Sequence, residues 1–135
     1  MQIVDMYEKT TKSVKITVES FYLDEQSSPE DSHYLWAYQI NIENSSSNTI
    51  QLINRHWKIT DQNGKLVEAK GPGVVGKQPV LKPGESFNYT SGTPLNTPSG
   101  IMVGTYEMES EEGERFEVEI PAFSLDSPYD PAILN

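Results

Sequence analysis

The sequence contains no cysteine among its 135 residues, and this absence removes several kinds of chemistry at once. Without a thiol the chain forms no disulfide, offers no thiolate to a metal ion and has no cysteine nucleophile. A cysteine-free chain fits a reducing compartment, so we expect a cytoplasmic protein. At this length we expect a single domain, residues 1–135, that folds without covalent staples.

Long apolar runs are absent as well. No window approaches the roughly 18 consecutive apolar residues that a membrane span needs, so membrane insertion is not expected. The segment Met1–Glu8 lacks the basic region and apolar run of a secretory signal, which again favours the cytoplasm.

Basic residues are scarce relative to acidic ones. Ten Lys and Arg stand against twenty Asp and Glu, and the formal net charge is −10. Such a surface repels phosphate backbones, so nucleic-acid binding through a general basic patch is not expected. The acidity is typical of a solubilising surface, and the alternative is attraction to a cation or to a basic partner.

What the sequence does contain is alternation of apolar and polar residues with a period of two, without helical periodicity. The clearest runs are Val14–Tyr22 and Tyr34–Glu43, and turn signals such as Asn63-Gly64 separate the runs. The pattern predicts an all-β sandwich or barrel of about seven or eight short antiparallel strands, and a two-sheet sandwich is favoured. The expected strands lie near residues 14–22, 34–43, 53–59, 66–70, 86–91, 102–108 and 116–120.

The two ends of the chain are expected to be loosely held, leaving a core of about residues 11–126. Pro121 is expected to stop the last strand, because proline cannot donate to a β-ladder. Exposed strand edges permit a weak homodimer but do not require one, so a monomer or weak homodimer is expected.

The segment Gly71–Gly76 matches the spacing G-x-G-x-x-G of dinucleotide-binding loops, but its surroundings do not fit. That motif needs a helix after it, because the pyrophosphate rests on the helix N-terminus. Pro79 and Pro83 prevent a regular helix there, and Pro72 removes one N–H from the loop. We therefore expect a tight interstrand loop whose glycines allow positive φ or close backbone approach. The alternative is a loop that holds an anion, helped by Lys77.

No residue pattern predicts a catalytic or metal site. The two histidines, His33 and His56, have no metal-ligand spacing, and no G-x-S-x-G occurs. The glutamates between Glu107 and Glu119 are typical of a solvated hairpin face, and Mg²⁺ or Ca²⁺ binding is the alternative. Arg55 shares a predicted strand face with Trp57, where a charge is unusual. It is expected to pair with a buried carboxylate or to stack on Trp57 at the sheet edge, or else to contact a ligand.

A set of motifs resembles the ApaG family over about residues 11–126. The matching segments are Gln26–Pro29, Ala37-Tyr38, Gln51-Leu52, Arg55–Trp57, Gly71–Gly76, Gln78-Pro79, Pro83–Glu85, Tyr89–Gly92, Thr97-Pro98 and Ile120-Pro121. Pro72 departs from the family pattern, which carries an acidic residue there. The resemblance implies an immunoglobulin or fibronectin type III-like sandwich, phenotypes of cobalt resistance and magnesium efflux, and a G-x-G-x-x-G loop discussed as a pyrophosphate site.

The combined hypothesis is a non-enzymatic binding module without a cofactor. It acts on an unidentified protein partner and affects Co²⁺ and Mg²⁺ homeostasis indirectly, because a chain without a membrane span cannot carry ions across a bilayer. The interstrand loops 71–78 and 91–100 are the expected contact surface. The residues assigned to that surface are Arg55, Ser91, Gly92 and Thr97. The alternative is direct binding of a small ligand. That ligand is either a divalent cation or a small anion, and the anion, phosphate or pyrophosphate, would bind at Gly71, Gly73, Gly76 and Lys77.

Overall fold

The two clearest alternating runs of the sequence form neighbouring strands of one sheet. In the computed structural model, which describes residues 5–129, Val14–Tyr22 and Tyr34–Asn44 pair antiparallel, with Ile16 opposite Ile42. Their alternate side chains are buried, because successive residues of a strand point to opposite faces of the sheet. Both predicted strands are confirmed.

The described residues fold as two antiparallel sheets packed face to face, which confirms the all-β sandwich. The strands are β1 Asp5–Thr11, β2 Val14–Tyr22, β3 Tyr34–Asn44, β4 Ile50–Asp61, β5 Leu66–Pro72, β6 Val80–Leu81, β7 Ser86–Leu95, β8 Ser99–Ser110 and β9 Arg115–Asp126. The first sheet has the strand order β1-β2-β3-β7 and the second β5-β4-β8-β9, with β6 also paired to β4. A single turn of 3₁₀ helix, Pro29–Asp31, precedes β3.

Residues 5–129 contain nine strands, where the sequence predicted seven or eight. One additional strand is β1, which pairs with β2 along its whole length. The other is β6, a two-residue strand beside the start of β4. The ends were predicted to be loosely held at about residues 1–10 and 126–135. Residues 5–10 instead belong to β1 and pair with β2, whereas residues 1–4 and 130–135 lie outside the described residues.

Proline does not end the last strand. Strand β9 continues past Pro121 to Asp126, because the register between β8 and β9 shifts there. Gly104 pairs with Ile120 and Met102 with Phe123, so two residues of β9 are set against one of β8. Such a β-bulge accommodates a proline without losing the strand, and the expected stop at Pro121 is wrong.

A second β-bulge decides which way Arg55 points. Ile50 and Leu52 are buried, but the register of β4 against β8 shifts between Leu52 and Asn54. One extra residue exchanges the two faces of a strand. Arg55 is therefore opposite Tyr106, a fully buried residue, and its side chain starts on the core side of the sheet.

The core lies between the sheets and is rich in aromatic rings. Tyr38 and Trp57 meet edge to face at 5.4 Å between ring centroids, and Trp57 and Phe123 at 5.9 Å. Such pairs add stability beyond the area that they bury. No helix within residues 5–129 is long and apolar enough to cross a bilayer.

Candidate binding site at the open side of the sandwich

One side of the sandwich is joined by side chains of the edge strands β1 and β9. Lys9 Nζ lies 2.5 Å from Glu119 Oε2, and the Glu119 N–H donates to Thr11 Oγ1 at 3.2 Å. The Ser124 N–H donates to the Tyr7 hydroxyl at 3.4 Å. The two sheets are thus tied together where β1 passes β9.

The opposite side is bounded by the other two edge strands, β7 and β5. Val67 and Ala69 of β5 lie opposite Ile59 and Trp57 of β4, so they point to the core side of their sheet. Both are nevertheless exposed, Val67 by 50%. Strand β5 therefore projects beyond the first sheet. We call the core-side face of β5 together with the edge of β7 the open side.

Arg55 lies at the open side and is held by backbone carbonyls. Its Nη1 donates to the carbonyl of Pro72 at 3.0 Å and to that of Gly73 at 2.9 Å. A Cβ at position 71 would come within 3.0 Å of Nη2 and 3.2 Å of Cζ, so the guanidinium lies over Gly71. Within residues 5–129, Nε and Nη2 have no recorded acceptor and Arg55 has no carboxylate partner. The guanidinium of Arg55 is therefore half-buried and held in one orientation, and it still has N–H groups that can donate hydrogen bonds.

The segment after Gly71-Pro72 is a tight hairpin loop, which confirms the expected interstrand loop. Val74 N–H donates to Lys77 O at 2.8 Å and Lys77 N–H to Val74 O at 2.9 Å. Between them Val75 and Gly76 have φ values of 44° and 78°, the pattern of a two-residue type I′ turn. Gly73 has a φ of 63°, and a Cβ there would lie 2.3 Å from Lys77 O. The next element is the strand β6, not a helix.

Several loop amides are already bonded within the fold. The Gly73 N–H donates to Ile53 O at 2.8 Å, and those of Val74 and Lys77 donate across the turn. Pro72 has no N–H to give. The small-anion hypothesis consequently depends on the amides of Val75 and Gly76 and on the Lys77 ammonium.

Val75 combines backbone strain with exposure. A positive φ is rare for a β-branched residue, because its side chain crowds the backbone in the left-handed region. At 53% exposure, Val75 also gains little from burial. Asparagine would suit this turn position better. Strained residues of this kind are concentrated at binding and switch sites.

A buried group of tyrosines lies beside Arg55. The hydroxyls of Tyr89 and Tyr106 are hydrogen-bonded to each other, and the Tyr38 hydroxyl is bonded to the Ser91 side chain. Burial raises the pKa of all three tyrosines, most strongly those of Tyr89 and Tyr106. The positive charge of Arg55 offsets part of the rise in each pKa. These tyrosines stay protonated at neutral pH.

The segment of the second sheet that contains Arg55 has a local charge opposite to that of the whole molecule. Residues 51–82, which run from the second residue of β4 through β5 and the hairpin loop 73–77 to just past β6, contain six Lys and Arg against two Asp and Glu. Their net charge is +4 in a chain of net charge −10. The field near Arg55 is therefore more favourable to an anionic group than the overall composition implies.

Comparison with known proteins identifies the family. The family model described as the ApaG domain matches residues 24–110. This chain belongs to the ApaG family. Protein ApaG of Paramagnetospirillum magneticum is 62% identical over 96% of this chain and 100% of that protein. Protein ApaG of Parvibaculum lavamentivorans is 58% identical over the same shares.

Solved structures agree with the ApaG assignment. The crystal structure of an ApaA protein from Bordetella pertussis has a TM-score of 0.83 at 47% identity, covering 86% of this chain and 94% of that one. The C-terminal domain of wzt is similar with a TM-score of 0.55 at 8% identity, covering 93% of this chain and 80% of that one. The second likeness is one of fold alone.

The structure brings some of the predicted site residues of this ApaG chain together. Arg55 contacts Gly71 and Gly73 directly, and Ser91 is the hydrogen-bond partner of Tyr38, whose pKa the charge of Arg55 lowers in part. Gly76 and Lys77 follow at the tip of the same loop. These residues, which the sequence divided between an anion loop and an interaction surface, belong to one region.

The two other residues of the predicted interaction surface, Gly92 and Thr97, have contacts that serve the fold and do not include Arg55. A Cβ at Gly92 would lie 2.9 Å from Trp36 O, so this glycine allows β7 to approach β3 closely. Thr97 Oγ1 accepts from the Gln62 N–H at 3.1 Å, and the Thr97 hydroxyl donates to Ser99 O at 2.7 Å. Thr97 thereby closes the β7–β8 connection against the end of β4, apart from Arg55.

The predicted loop 91–100 is wrong for most of its length. Residues 91–95 belong to β7 and residues 99–100 to β8, which leaves 96–98 as the connection. Pro94, Pro98 and Gly100 indicated a loop, but Pro94 lies in the edge strand β7, which tolerates proline, and Gly100 lies in β8.

Sequence reasoning missed the tyrosines as polar groups. Tyr38, Tyr89 and Tyr106 each lie on an apolar strand face and were expected only to fill the core. A buried phenol needs a partner for its hydroxyl, and that requirement was the available signal. The sequence could not show which hydroxyls meet, because the three residues come from three strands of two sheets.

The acidic hairpin and one of the two histidines, His56, have local side-chain partners. Arg115 Nη1 lies 2.9 Å from Glu107 Oε1 and its Nε 2.5 Å from Glu109 Oε2. His56 Nε2 lies 3.1 Å from Glu68 Oε1 on the outer face of the second sheet. Among the described residues, no group of three or more His, Asp or Glu side chains is arranged to hold a metal ion.

Proposed function

We propose that this chain is a non-enzymatic binding module that contacts a partner protein through the open side and the adjacent Val75 turn. The observation that carries the proposal is the uncovered core-side face of β5, where Val67 is 50% exposed. Residues on that side of a sandwich sheet are normally covered by the facing sheet. Uncovered apolar surface beside fixed polar groups is typical of a protein contact site.

The strained Val75 turn supports the same assignment. An exposed valine with a φ of 44° lowers stability, and asparagine would be the better residue for the turn alone. A contact between the valine side chain and a partner would offset that cost. The turn begins directly after Gly73, whose carbonyl binds Arg55, so turn and open side form a continuous surface.

The polar groups of the site suit binding better than catalysis. Tyr38 is the hydrogen-bond partner of Ser91, and its raised pKa keeps it protonated at neutral pH. A protonated phenol is not a base that could activate a serine. In this proposal the protein acts in the cytoplasm, and the cobalt and magnesium phenotypes implied by the family resemblance arise through the partner.

Site-specific photo-crosslinking in cells tests the proposal. A photoreactive phenylalanine analogue replaces Val67 or Val75, and in a control it replaces Ile101. Ile101 is a matched position, because it is 52% exposed but belongs to β8, away from the open side. We expect a discrete adduct from positions 67 and 75 and none of the same mass from 101. Identical adducts from all three positions, or none from 67 and 75, would contradict the proposal.

The small-ligand alternative is decided by calorimetry on the purified chain with Mg²⁺, Co²⁺ and pyrophosphate. The anion version predicts heat with pyrophosphate that disappears in Lys77→Ala. The cation version predicts heat with Mg²⁺ or Co²⁺ that disappears when Glu117 and Glu119 are changed to glutamine.

A further inference from the structure

Among the residues that the structure describes, Arg55 has N–H groups without acceptors at the open side, where β5 ends. Its Nη1 is occupied by the carbonyls of Pro72 and Gly73, which fixes the plane of the guanidinium over Gly71. The Nε and Nη2 donors have no partner among residues 5–129. A guanidinium binds a carboxylate best through two parallel N–H···O bonds, and Nε with Nη2 provides such a pair. Because the fold already fixes the Arg55 side chain, ligand binding loses little further conformational entropy there, which favours binding.

The strand edge beside Arg55 indicates the shape of the ligand. Strand β7 lies at the end of the first sheet, and within the described residues it pairs with β3 alone. An added strand would lie about 4.8 Å from β7 in the same sheet. Strand β5 projects beyond the first sheet, so the added strand would cover Val67 and Ala69. Backbone bonds to an edge plus pockets for alternate side chains are a recurring mode of peptide recognition.

We propose that the open side binds an extended segment of a partner protein as an additional strand beside β7, with an Asp or Glu carboxylate of that segment on Arg55. The inference rests on the proposed function and deepens it by naming the chemistry of the partner. The positive charge of residues 51–82 is complementary to an acidic segment. Pro94 restricts the pairing to the part of β7 before it, because it has no N–H.

Two other occupants fit the site less well. A second copy of the chain, paired β7 to β7 about a two-fold axis, would bring its own Arg55 and its own basic residues 51–82 to the same place, where they repel. A free polyphosphate would need a cradle of amides, but the Gly73 N–H is bonded to Ile53 O and those of Val74 and Lys77 are bonded across the turn. An acidic extended segment would bind the Nε and Nη2 donors of Arg55 through its carboxylate and would also cover Val67 and Ala69.

The test starts from defined peptides and the full-length protein. A display library of random ten-residue peptides is selected on the purified chain, and enriched peptides are synthesised with each Asp or Glu in turn changed to Asn or Gln. Affinities are measured by fluorescence anisotropy for the wild type, Arg55→Lys, Val67→Ser and the control Arg115→Lys. Arg115 is a matched control, because it is an arginine that already pairs with two glutamates on a different strand. Amide hydrogen exchange reports where the peptide binds.

We expect enriched peptides in which one carboxylate is essential. Its change to the amide weakens binding about 10- to 100-fold, as does Arg55→Lys, and the two losses do not add. Arg115→Lys leaves the affinity unchanged, and the bound peptide slows exchange in β7. Because the amide change is made in the peptide, this result does not depend on the folding of any variant.

Three outcomes overturn the inference. If peptides bind, lose affinity in Val67→Ser and protect β7, but tolerate loss of every carboxylate, then the proposed function stands and the Arg55 assignment falls. If no peptide is enriched and pyrophosphate binds in an Arg55-dependent manner, the site is one for small anions. If neither binds, and crosslinking at Val67 and Val75 is also negative, the inference and the proposed function fail together.

Discussion

The guanidinium of Arg55 lies over Gly71 so closely that a methyl group at position 71 would sit 3.0 Å from Nη2. The two residues are opposite each other on β4 and β5, and both point to the core side. Glycine at this position leaves the space through which the arginine reaches the carbonyls of Pro72 and Gly73. Gly71 has no positive φ, so the space above it, not backbone freedom, explains the glycine.

The Arg55–Gly71 contact predicts that Gly71→Ala lowers the free energy of unfolding when Arg55 is present and raises it when Arg55 is replaced by alanine. Gly71→Ala pushes the guanidinium off its two carbonyls, and we expect a loss of about 1–2 kcal/mol in the free energy of unfolding. In an Arg55→Ala background the same change gains about 0.5–1 kcal/mol, because alanine suits a strand better than glycine. Urea denaturation of the four proteins measures both values. Equal effects in the two backgrounds would show that the contact is not the cause.

The glycines of the loop are expected to differ strongly in their tolerance of a side chain. Gly73→Ala places a Cβ 2.3 Å from Lys77 O at a φ of 63°, so the hairpin must distort. We expect a loss of about 3 kcal/mol or more. Gly76→Ala meets open space and is penalised only by its φ of 78°, about 1 kcal/mol. Thermal and urea unfolding give the ranking, and a larger loss for Gly76→Ala would contradict the assigned geometry.

Val75→Asn is expected to separate stability from binding. Asparagine followed by Gly76 is the preferred type I′ pair, and we expect a gain of about 1 kcal/mol in stability. The same change removes an exposed apolar side chain from the contact surface, so the yield of the crosslinked adduct at position 67 should fall. The two effects are measured by urea denaturation and by adduct yield.

Ser13→Gly is the matched control for this prediction. Lys12 and Ser13 form another two-residue turn with φ values of 49° and 65°, between β1 and β2. Glycine there also relieves backbone strain, by about 0.5–1 kcal/mol. This turn lies on the β1 side of the sandwich, opposite to β5. Adduct yield in Ser13→Gly should equal that of the wild type. A matching fall in both variants would mean that stability, not contact, controls the yield.

The hydroxyls of Tyr89 and Tyr106 are expected to be strongly coupled in stability. Tyr106→Phe leaves the Tyr89 hydroxyl without this buried partner and should cost about 1–2 kcal/mol. The double change to phenylalanine removes both groups, so it should cost less than the sum of the single changes. Urea denaturation of the complete cycle measures the coupling. Strict additivity would show that the two hydroxyls do not interact.

The same tyrosines predict loss of stability in alkali. Burial raises their pKa in the folded protein above the unfolded value of 10.0, so the folded state binds more protons above that pH. Their contribution is complete below pH 10 and declines as pH rises, by about 1.4 kcal/mol per pH unit for each tyrosine. Unfolding at pH 9, 10 and 11 measures the slope. The Tyr89→Phe/Tyr106→Phe variant should have a shallower slope, and an unchanged slope would contradict the assignment.

Much of the fold could be predicted from local patterns. Alternation placed β2 and β3 correctly because a pleated strand that buries one face needs a period of two. Asn63-Gly64 located the β4–β5 hairpin, where Gly64 has a φ of 84°, because that turn requires a positive φ. The prolines after Gly76 excluded a dinucleotide-binding helix for an equally local reason, since proline breaks the helical hydrogen-bond ladder. Each of these signals acts over a few residues.

The site was decided by relationships between distant residues. The bulge after Leu52, which turns Arg55 to the core side, depends on pairing with β8 about fifty residues later. The exposure of Val67 depends on how far the second sheet extends beyond the first, and no local pattern encodes that offset. The sequence by itself therefore determined that strands form and where the Asn63-Gly64 turn occurs. Only the packing of two sheets decided that Arg55, Gly71 and three buried tyrosines meet, because their contacts join strands from both layers.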